Sequence, residues 1–325
     1  MKTSRVRIRF QSRCVTPLHS DTLFGHICWM YRYTKGEDAL RRDILKGYDS
    51  TPSLLVSDGF PSGYLPCPKL PAIGEEDTLD LYEKAGGGRG LVPFLKRMKT
   101  IRKTRWILAA DMLSLSDSLM PRRLAEIILN REESDGTEKI GGNPLEALVP
   151  HNTINRMSGT VDKAGGFFHS RENRITGLAF DIYLKINLPW DDATIQGLFA
   201  DIGRWGYGAD SSSGMGRFVV EEVASADLPE VGDAVLSLSH FVPDEELGEG
   251  WYDLEIKFGK LGGSYSQGTG AFPKTPMVLL RPGAVFRIKT TKTYYGRSLG
   301  PVHPIRRDVR NQTYLFPYFF NLKEN

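Results

Sequence analysis

Hydrophobic and polar residues alternate from the start of the chain. Val6, Ile8 and Phe10 fall on one side and Arg5, Arg7 and Arg9 on the other, a period of two that predicts a half-buried strand with a basic outer face. After a turn at Thr16-Pro17-Leu18, Ser20 or Asp21 caps a helix whose apolar stripe is Leu23, Phe24, Ile27, Cys28 and Tyr31 and whose stop is Gly36. Ser53–Val56 reads as a short strand. Residues 57–175 then become irregular, polar and rich in Gly and Pro. A loop at Gly86–Gly90 and a helix from near Pro121, with Leu124, Ile127 and Ile128, break that stretch. Period two returns at Leu178, Phe180, Ile182, Leu184 and Ile186. Pro189 and Asp191 open a further helix with Ile195, Leu198, Phe199 and Ile202 on one face, and residues 217–223 form the next strand. The order β-α-β … β-α-β is the ferredoxin-like plan, here split by a long insertion.

Beyond Pro229 no helical period occurs. Leu254, Ile256 and Phe258 alternate with Asp253, Glu255 and Lys257, and Ala284, Phe286 and Ile288 alternate with Val285, Arg287 and Lys289. The expected division is an N-terminal domain over 1–225 and a mostly β domain over 226–325. The tail from Tyr314 to Phe320 is too apolar to leave wet, so it is either a core strand or a partner interface.

A chain of 325 residues suffices for two modest cores, and a net charge of +3 demands no polyanionic partner. The distribution of charge matters more than its sum. Lys96, Arg97, Lys99, Arg102, Lys103 and Arg105 follow one another without an acid, and Arg306, Arg307 and Arg310 cluster late. Such runs are nucleic-acid patches or solvated faces. Cys14, Cys28 and Cys67 are odd in number and form no C-x-x-C pair, which argues against a zinc knuckle or a disulfide framework. With no signal core and no apolar run of membrane-spanning length, a cytoplasmic protein is expected, with no membrane partner.

Gly206, Tyr207, Gly208, Ser211, Ser212, Ser213, Gly214, Gly216 and Arg217 lie in one stretch between a helix pattern and a strand pattern. Glycine permits close backbone approach, so N–H groups, serine hydroxyls and Arg217 can surround an anion. The stretch has neither Walker spacing nor the strand-loop-helix order of a dinucleotide fingerprint. It reads as a phosphate cradle or as a plain connection. His19, Ser20 and Thr22 at a helix start are a second candidate anion site, or only a cap beside an exposed histidine. His26 receives no role.

His151, Asn152, Asn155 and Arg156, followed by Phe167, Phe168, His169 and Arg171, combine amide, imidazole, guanidinium and aromatic groups around a predicted hairpin. Such sets stack and edge-read single-stranded RNA bases; alternatively the two phenylalanines plug the core. His19, His151 or His169 could also serve as general acid or base in metal-independent RNA cleavage. No metal-ligand spacing, Ser-His-Asp order or H-E-x-x-H motif occurs, so neither a metal nor another cofactor is expected.

Gly206-Tyr207-Gly208-x-Asp210-x-Ser212-x-Gly214-x-Gly216-Arg217-Phe218, after a helix and before a strand, resembles the glycine-rich loop of the RAMP superfamily of CRISPR RNA-binding proteins. His19-Ser20-Asp21-Thr22-Leu23-Phe24-Gly25 and His151-Asn152-Thr153-Ile154-Asn155-Arg156 resemble segments of that superfamily's fourth-Csm-subunit family, the crRNA 5′-tag-binding members of type III-A complexes. The resemblance implies an α+β protein with tandem ferredoxin-like (RRM-like) domains. Residues 151–171 would be a thumb-like hairpin and 226–325 a C-terminal RAMP domain. It further implies a non-catalytic subunit that holds the crRNA 5′ tag, caps the filament of backbone RAMP subunits and docks the large polymerase/cyclase-type subunit. Ala209 and Met215 depart from the pattern, standing where lysines are common, so loop contacts would rest on N–H groups and serines. A processing endoribonuclease of the same superfamily and a pure protein-interaction subunit are the alternatives.

Overall fold

The computed structural model describes residues 1–84, 90–134, 146–152, 156–161, 167–173, 175–266 and 273–323. The opening alternation is strand β1 (Lys2–Phe10). It leads to α1 (Ser20–Lys35), the short α2 (Glu37–Ala39) with a π-helical turn at Leu40–Leu45, and β2 (Leu54–Pro61). After the insertion come β7 (Ala179–Ile186), α7 (Asp192–Trp205) and β8 (Phe218–Ser225). These strands form one antiparallel sheet in the order β2-β7-β1-β8, which is the ferredoxin-like order.

Helix α1 buries Leu23, Phe24, Ile27, Met30 and Tyr31. Helix α7 starts where Asp191 accepts a hydrogen bond from the Thr194 N–H, and it buries Ile195, Leu198, Phe199 and Ile202. The expected basic face of β1 is not free. Arg7 forms a two-pronged pair with the buried Asp181, Arg5 pairs with Glu222 and Arg9 with Glu221, each from a neighbouring strand. Cross-strand pairing cancels the charge, so this face is an ion-pair ladder.

The insertion is more ordered than its composition predicts. It holds β3 (Tyr64–Pro66), α3 (Glu75–Lys84), α4 (Leu91–Ile101), β4 (Trp106–Leu108), α5 (Ala109–Ser114) and α6 (Pro121–Ser134). The helix expected from Pro121 is there. Helices α3 and α4 escape a periodicity reading because α3 buries only Leu81 and α4 only Phe94 and Ile101. Strands β5 (Glu146–Asn152) and β6 (Phe167–Asn173) pair antiparallel, as the expected hairpin requires. The glycine run from Gly86 and the hairpin turn around Gly165 lie outside the described residues, apart from Gly90 at the start of α4.

The second half contributes β9 (Ala234–Ser237), β10 (Leu247–Trp251), β11 (Leu254–Lys257), β12 (Met277–Leu280), β13 (Val285–Ile288), β14 (Tyr295–Gly296), β15 (Tyr314–Leu315) and β16 (Pro317–Phe320). Its main sheet runs β10-β13-β9-β16, all antiparallel. Counted along the chain, that is the strand order of the first sheet repeated. The ferredoxin-like strand order therefore occurs twice, the second time without an α-helix among the described residues.

The tail is core. Tyr314, Leu315, Phe316, Tyr318, Phe319 and Phe320 are all buried. Leu236, Leu238, Phe316, Tyr318 and Phe320 pack in the same cluster as Val6, Ile8, Ile182 and Leu184 of the first sheet. This explains why β7 is buried along both faces, Asp181, Tyr183 and Lys185 included. Cys14, Cys28 and Cys67 are free, and burial pushes each thiol up to about 12.

Candidate nucleic-acid interface

The glycine loop is bonded to its surroundings almost throughout. Gly206 and Gly216 have positive φ, and at Gly216 an added Cβ would stand 2.0 Å from the Tyr207 carbonyl oxygen. The two arms are tied by the Tyr207 N–H to the Gly216 oxygen. The Gly208 N–H donates to His26 Nε2 at 3.0 Å, the Ala209 N–H to Thr16 Oγ1 at 2.9 Å and the Arg217 N–H to Ser12 Oγ at 2.8 Å. His26, given no role by sequence, is thus the loop's anchor. Burial holds its pKa down at about 4, so it stays the neutral acceptor this bond requires.

Tyr207 is fully buried, with its hydroxyl donating to the Pro17 carbonyl, so it is a strut and not a surface contact. Asp210 takes a left-handed conformation and leads into a single 3-10 turn at Ser211–Ser213. Among the described residues, the N–H groups of Ser211 and Ser212 have no partner and Arg217 makes no ion pair. The loop is a rigid hook with donors only at its tip and a cation at its exit. It is not the all-round cradle that glycine content suggests.

An aromatic strip that sequence reading missed begins at the mouth of this loop. Trp205, 64% exposed, stacks on Tyr33 at 5.6 Å and 17°. Tyr33 lies 5.7 Å from Trp29, and Trp29 meets Tyr265 edge-on at 5.1 Å. Arg32 lies over Trp29, and Arg306 sits 3.6 Å above the Tyr265 ring. Trp29 and Tyr33 are one turn apart on α1, the spacing that puts side chains on one face. That they lie next to the loop is visible only once α7 packs beside α1. Tyr33 and Trp205 are exposed while Trp29 and Tyr265 are half-buried, and exposed rings beside guanidinium groups suit the faces of unstacked bases.

The start of α1 behaves differently from the expected anion site. His19 is the N-cap, and the Ser20 N–H donates to the carboxylate of buried Asp58 at 3.0 Å. Ser20 is itself buried, its hydroxyl accepting from the His240 N–H. Asp21 is bonded to Lys257 and, at 2.9 Å, to Asn311. Thr22 Oγ1 accepts from Lys257 at 3.0 Å. Protein carboxylates already accept from donors at this helix start. His19, Ser20 and Thr22 form part of a joint between the two halves.

His240, which sequence gave no reason to select, lies at the centre of that joint. Its Nδ1 is 2.7 Å from Asp58 Oδ2 and its Nε2 is 3.3 Å from Glu255 Oε2. The His19 ring lies 4.2 Å from its own. Burial pulls the His240 pKa down, but the charges and hydrogen bonds of Asp58 and Glu255 outweigh it and lift the value to about 9. Burial, then the charge of His240, drives His19 down to about 4. The His240 hydrogen bond, with the nearby cations, holds Glu255 down at about 2.

Strand β11 is inverted relative to the usual rule. Glu255 and Lys257 turn inward to the joint, while Leu254, Ile256 and Phe258 are 56%, 61% and 74% exposed. Val278, opposite Ile256 on β12, extends the apolar patch outward. Of the basic run, Lys96, Lys99, Arg102, Lys103 and Arg105 are exposed and free of ion pairs among the described residues. Arg97 donates to the Leu129 carbonyl. In the hairpin, His151 faces Phe168 and Pro150 faces His169, so the two histidines are not cross-strand partners. Asn152 and Arg156 are exposed, and Asn155 lies outside the described residues.

No protein-family model and no curated protein matches the chain. Solved structures match over its whole length. A chain of the crystal structure of a Csm1–Csm4 cassette in complex with pppApA aligns at TM-score 0.58 and 16% identity, covering 100% of both chains. A chain of the same kind of cassette in complex with AMPPNP gives 0.56 and 17%, again covering 100% of both. A Csm3–Csm4 subcomplex of the type III-A CRISPR-Cas interference complex gives 0.52 and 14%, covering 99% of this chain and 100% of the other. The protein shares the fold of these chains from Csm1–Csm4 and Csm3–Csm4 assemblies.

Proposed function

We propose that the protein is the fourth, Csm4-type subunit of a type III-A CRISPR complex. In this reading it holds the single-stranded 5′ tag of a crRNA, docks the large polymerase/cyclase-type subunit and caps the filament of backbone subunits, and it does not cut RNA. The observation that carries the proposal is the aromatic strip Trp205–Tyr33–Trp29 leading from the mouth of a rigid, donor-tipped glycine loop. A tag of fixed sequence suits recognition by stacked bases, whereas a variable guide must be held through its phosphates. Ser211, Ser212 and Arg217 supply phosphate contacts beside the strip, and the hairpin carrying His151, Asn152, Phe167, Phe168, His169 and Arg171 supplies the bend. The outward apolar face of β11 and β12 supplies a dock for a protein partner, since a lone chain seldom leaves such a patch in water.

The test uses the full chain with its large partner and a tagged crRNA in Mg2+-free buffer, reading both binding and RNA integrity. Tag-dependent binding with intact RNA is expected. Trp205→Ala and Tyr33→Ala should each weaken it by about 1–3 kcal/mol, roughly 5- to 150-fold, the value of one stacked base. Cleavage leaving a 2′,3′-cyclic phosphate and abolished by His151→Ala or His169→Ala would overturn the reading in favour of a nuclease. Absence of any RNA affinity would leave a protein-interaction subunit.

A further inference from the structure

Three side chains meeting at the joint between the two halves form a metal-ligand set. His19 precedes α1, His240 follows β9, and Glu255 lies on β11. Glu255 Oε1 is 3.9 Å from His19 Nε2, and Oε2 is 3.3 Å from His240 Nε2. All three donor atoms lie within 4.8 Å of one another. Ligand atoms on a tetrahedral Zn2+, bound at about 2.0–2.2 Å, stand about 3.3 Å apart. The His240–Glu255 pair is already at that spacing. The donor atoms furthest apart, within 4.8 Å of one another, must close in by up to about 1.5 Å.

The surroundings favour an ion over an accidental meeting of polar groups. Asp58 is buried and bonded to His240 Nδ1, so it keeps the Nδ1 proton when an ion displaces the Nε2 proton that Glu255 otherwise accepts, and Nε2 becomes the ligating atom. A carboxylate behind the distal nitrogen is how metal-binding histidines are commonly oriented. Glu255 can divide its oxygens, because Oε2 also accepts from Arg281 at 2.9 Å while Oε1 faces His19. The His19 and Glu255 side chains are 17% and 23% exposed, so an ion has a way in and a water can complete the fourth position. Two imidazoles and one carboxylate suit Zn2+ far better than the all-oxygen preference of Mg2+ or Ca2+.

We propose that His19, His240 and Glu255 bind one Zn2+, tying the start of α1 to the second sheet, with Asp58 as a positioning residue. The inference is independent of RNA binding. The experiment is calorimetric titration of Zn2+ into the tag-free full-length protein after stripping with a chelator, with Co2+ absorption to report tetrahedral coordination. One ion per chain and a raised Tm are expected. His240→Ala and Glu255→Gln should each weaken binding by at least about 100-fold, and Asp58→Asn by about 10–100-fold. His303→Gln, at a buried histidine outside the cluster, should leave it unchanged. Circular dichroism identifies folded variants; if His240→Ala does not fold, Glu255→Gln and His19→Gln decide. No saturable Zn2+ or Co2+ binding overturns the proposal, as does binding that survives in the folded Glu255→Gln and His19→Gln variants.

Discussion

Gly214 and Gly216 both have positive φ, yet a Cβ at Gly214 meets open space while one at Gly216 runs into the Tyr207 backbone. Gly214→Ala should therefore cost only the left-handed strain of an L residue, about 1–2 kcal/mol. Gly216→Ala adds a backbone clash, and its loss in urea unfolding should be at least twice as large. Equal losses would mean the loop arms can part. His26 carries a second residue-scale prediction. Its folded pKa of about 4 lies below the usual 6.5, so the unfolded chain takes up the proton first as pH falls. That contribution is full above about pH 6.5 and is lost toward pH 4, at no more than about 1.4 kcal/mol per unit. His26→Gln keeps an acceptor for the Gly208 N–H and should make the stability profile shallower across that window, leaving the slope that His19, also held at about 4, contributes. A profile parallel to the wild type would refute the assignment.

Among the elements, β11 shows the limit of pattern reading. Alternation of Leu254, Ile256 and Phe258 with Asp253, Glu255 and Lys257 identifies a strand with two unlike faces. Period two says nothing about which face turns inward. Here the ionic face does, because Asp21 is buried and needs Lys257, while the joint seats Glu255 beside His240. Asp21, pushed upward by burial, is held below its usual range by that Lys257 contact. The double variant Ile256→Lys, Phe258→Asp should change stability by no more than about 0.5 kcal/mol, as solvent-facing substitutions do. It should also reduce association with a partner subunit at least tenfold in a pull-down titration. Unimpaired association would place the dock elsewhere. Helix α4 teaches a related lesson, since a helix held by two buried side chains leaves almost no stripe to find.

At the scale of the whole molecule, the two repeats of the ferredoxin-like strand order share one core. Phe316, Tyr318 and Phe320 pack among side chains of the first sheet, and the Lys185 ammonium lies 5.8 Å from the Phe316 ring centre. Calorimetry should therefore record a single transition with van't Hoff and calorimetric enthalpies in agreement. The fragment 1–225, stripped of the cover on β7, should not fold cooperatively. Two resolved transitions, or a folded fragment, would show the halves to be independent. Tyr318→Ala should destabilise the whole chain by about 3–5 kcal/mol, as removal of a buried aromatic does.

Local chemistry was enough to establish the strands and helices of the first β-α-β units, the α7 cap at Asp191, the mostly β second half and the existence of a glycine loop. Each of these depends on residues a few positions apart, where period, capping and turn preference act. Tertiary packing alone decided what those elements do. Asp58, His240 and Glu255 meet His19 only when two sheets dock, Trp205 reaches Tyr33 only when two helices lie side by side, and Arg5, Arg7 and Arg9 lose their free charge only when acids arrive on neighbouring strands. A sequence fixes which side chains can bond; contacts between residues far apart in the chain exist only once the backbone has brought them within reach, and the site is made of such contacts.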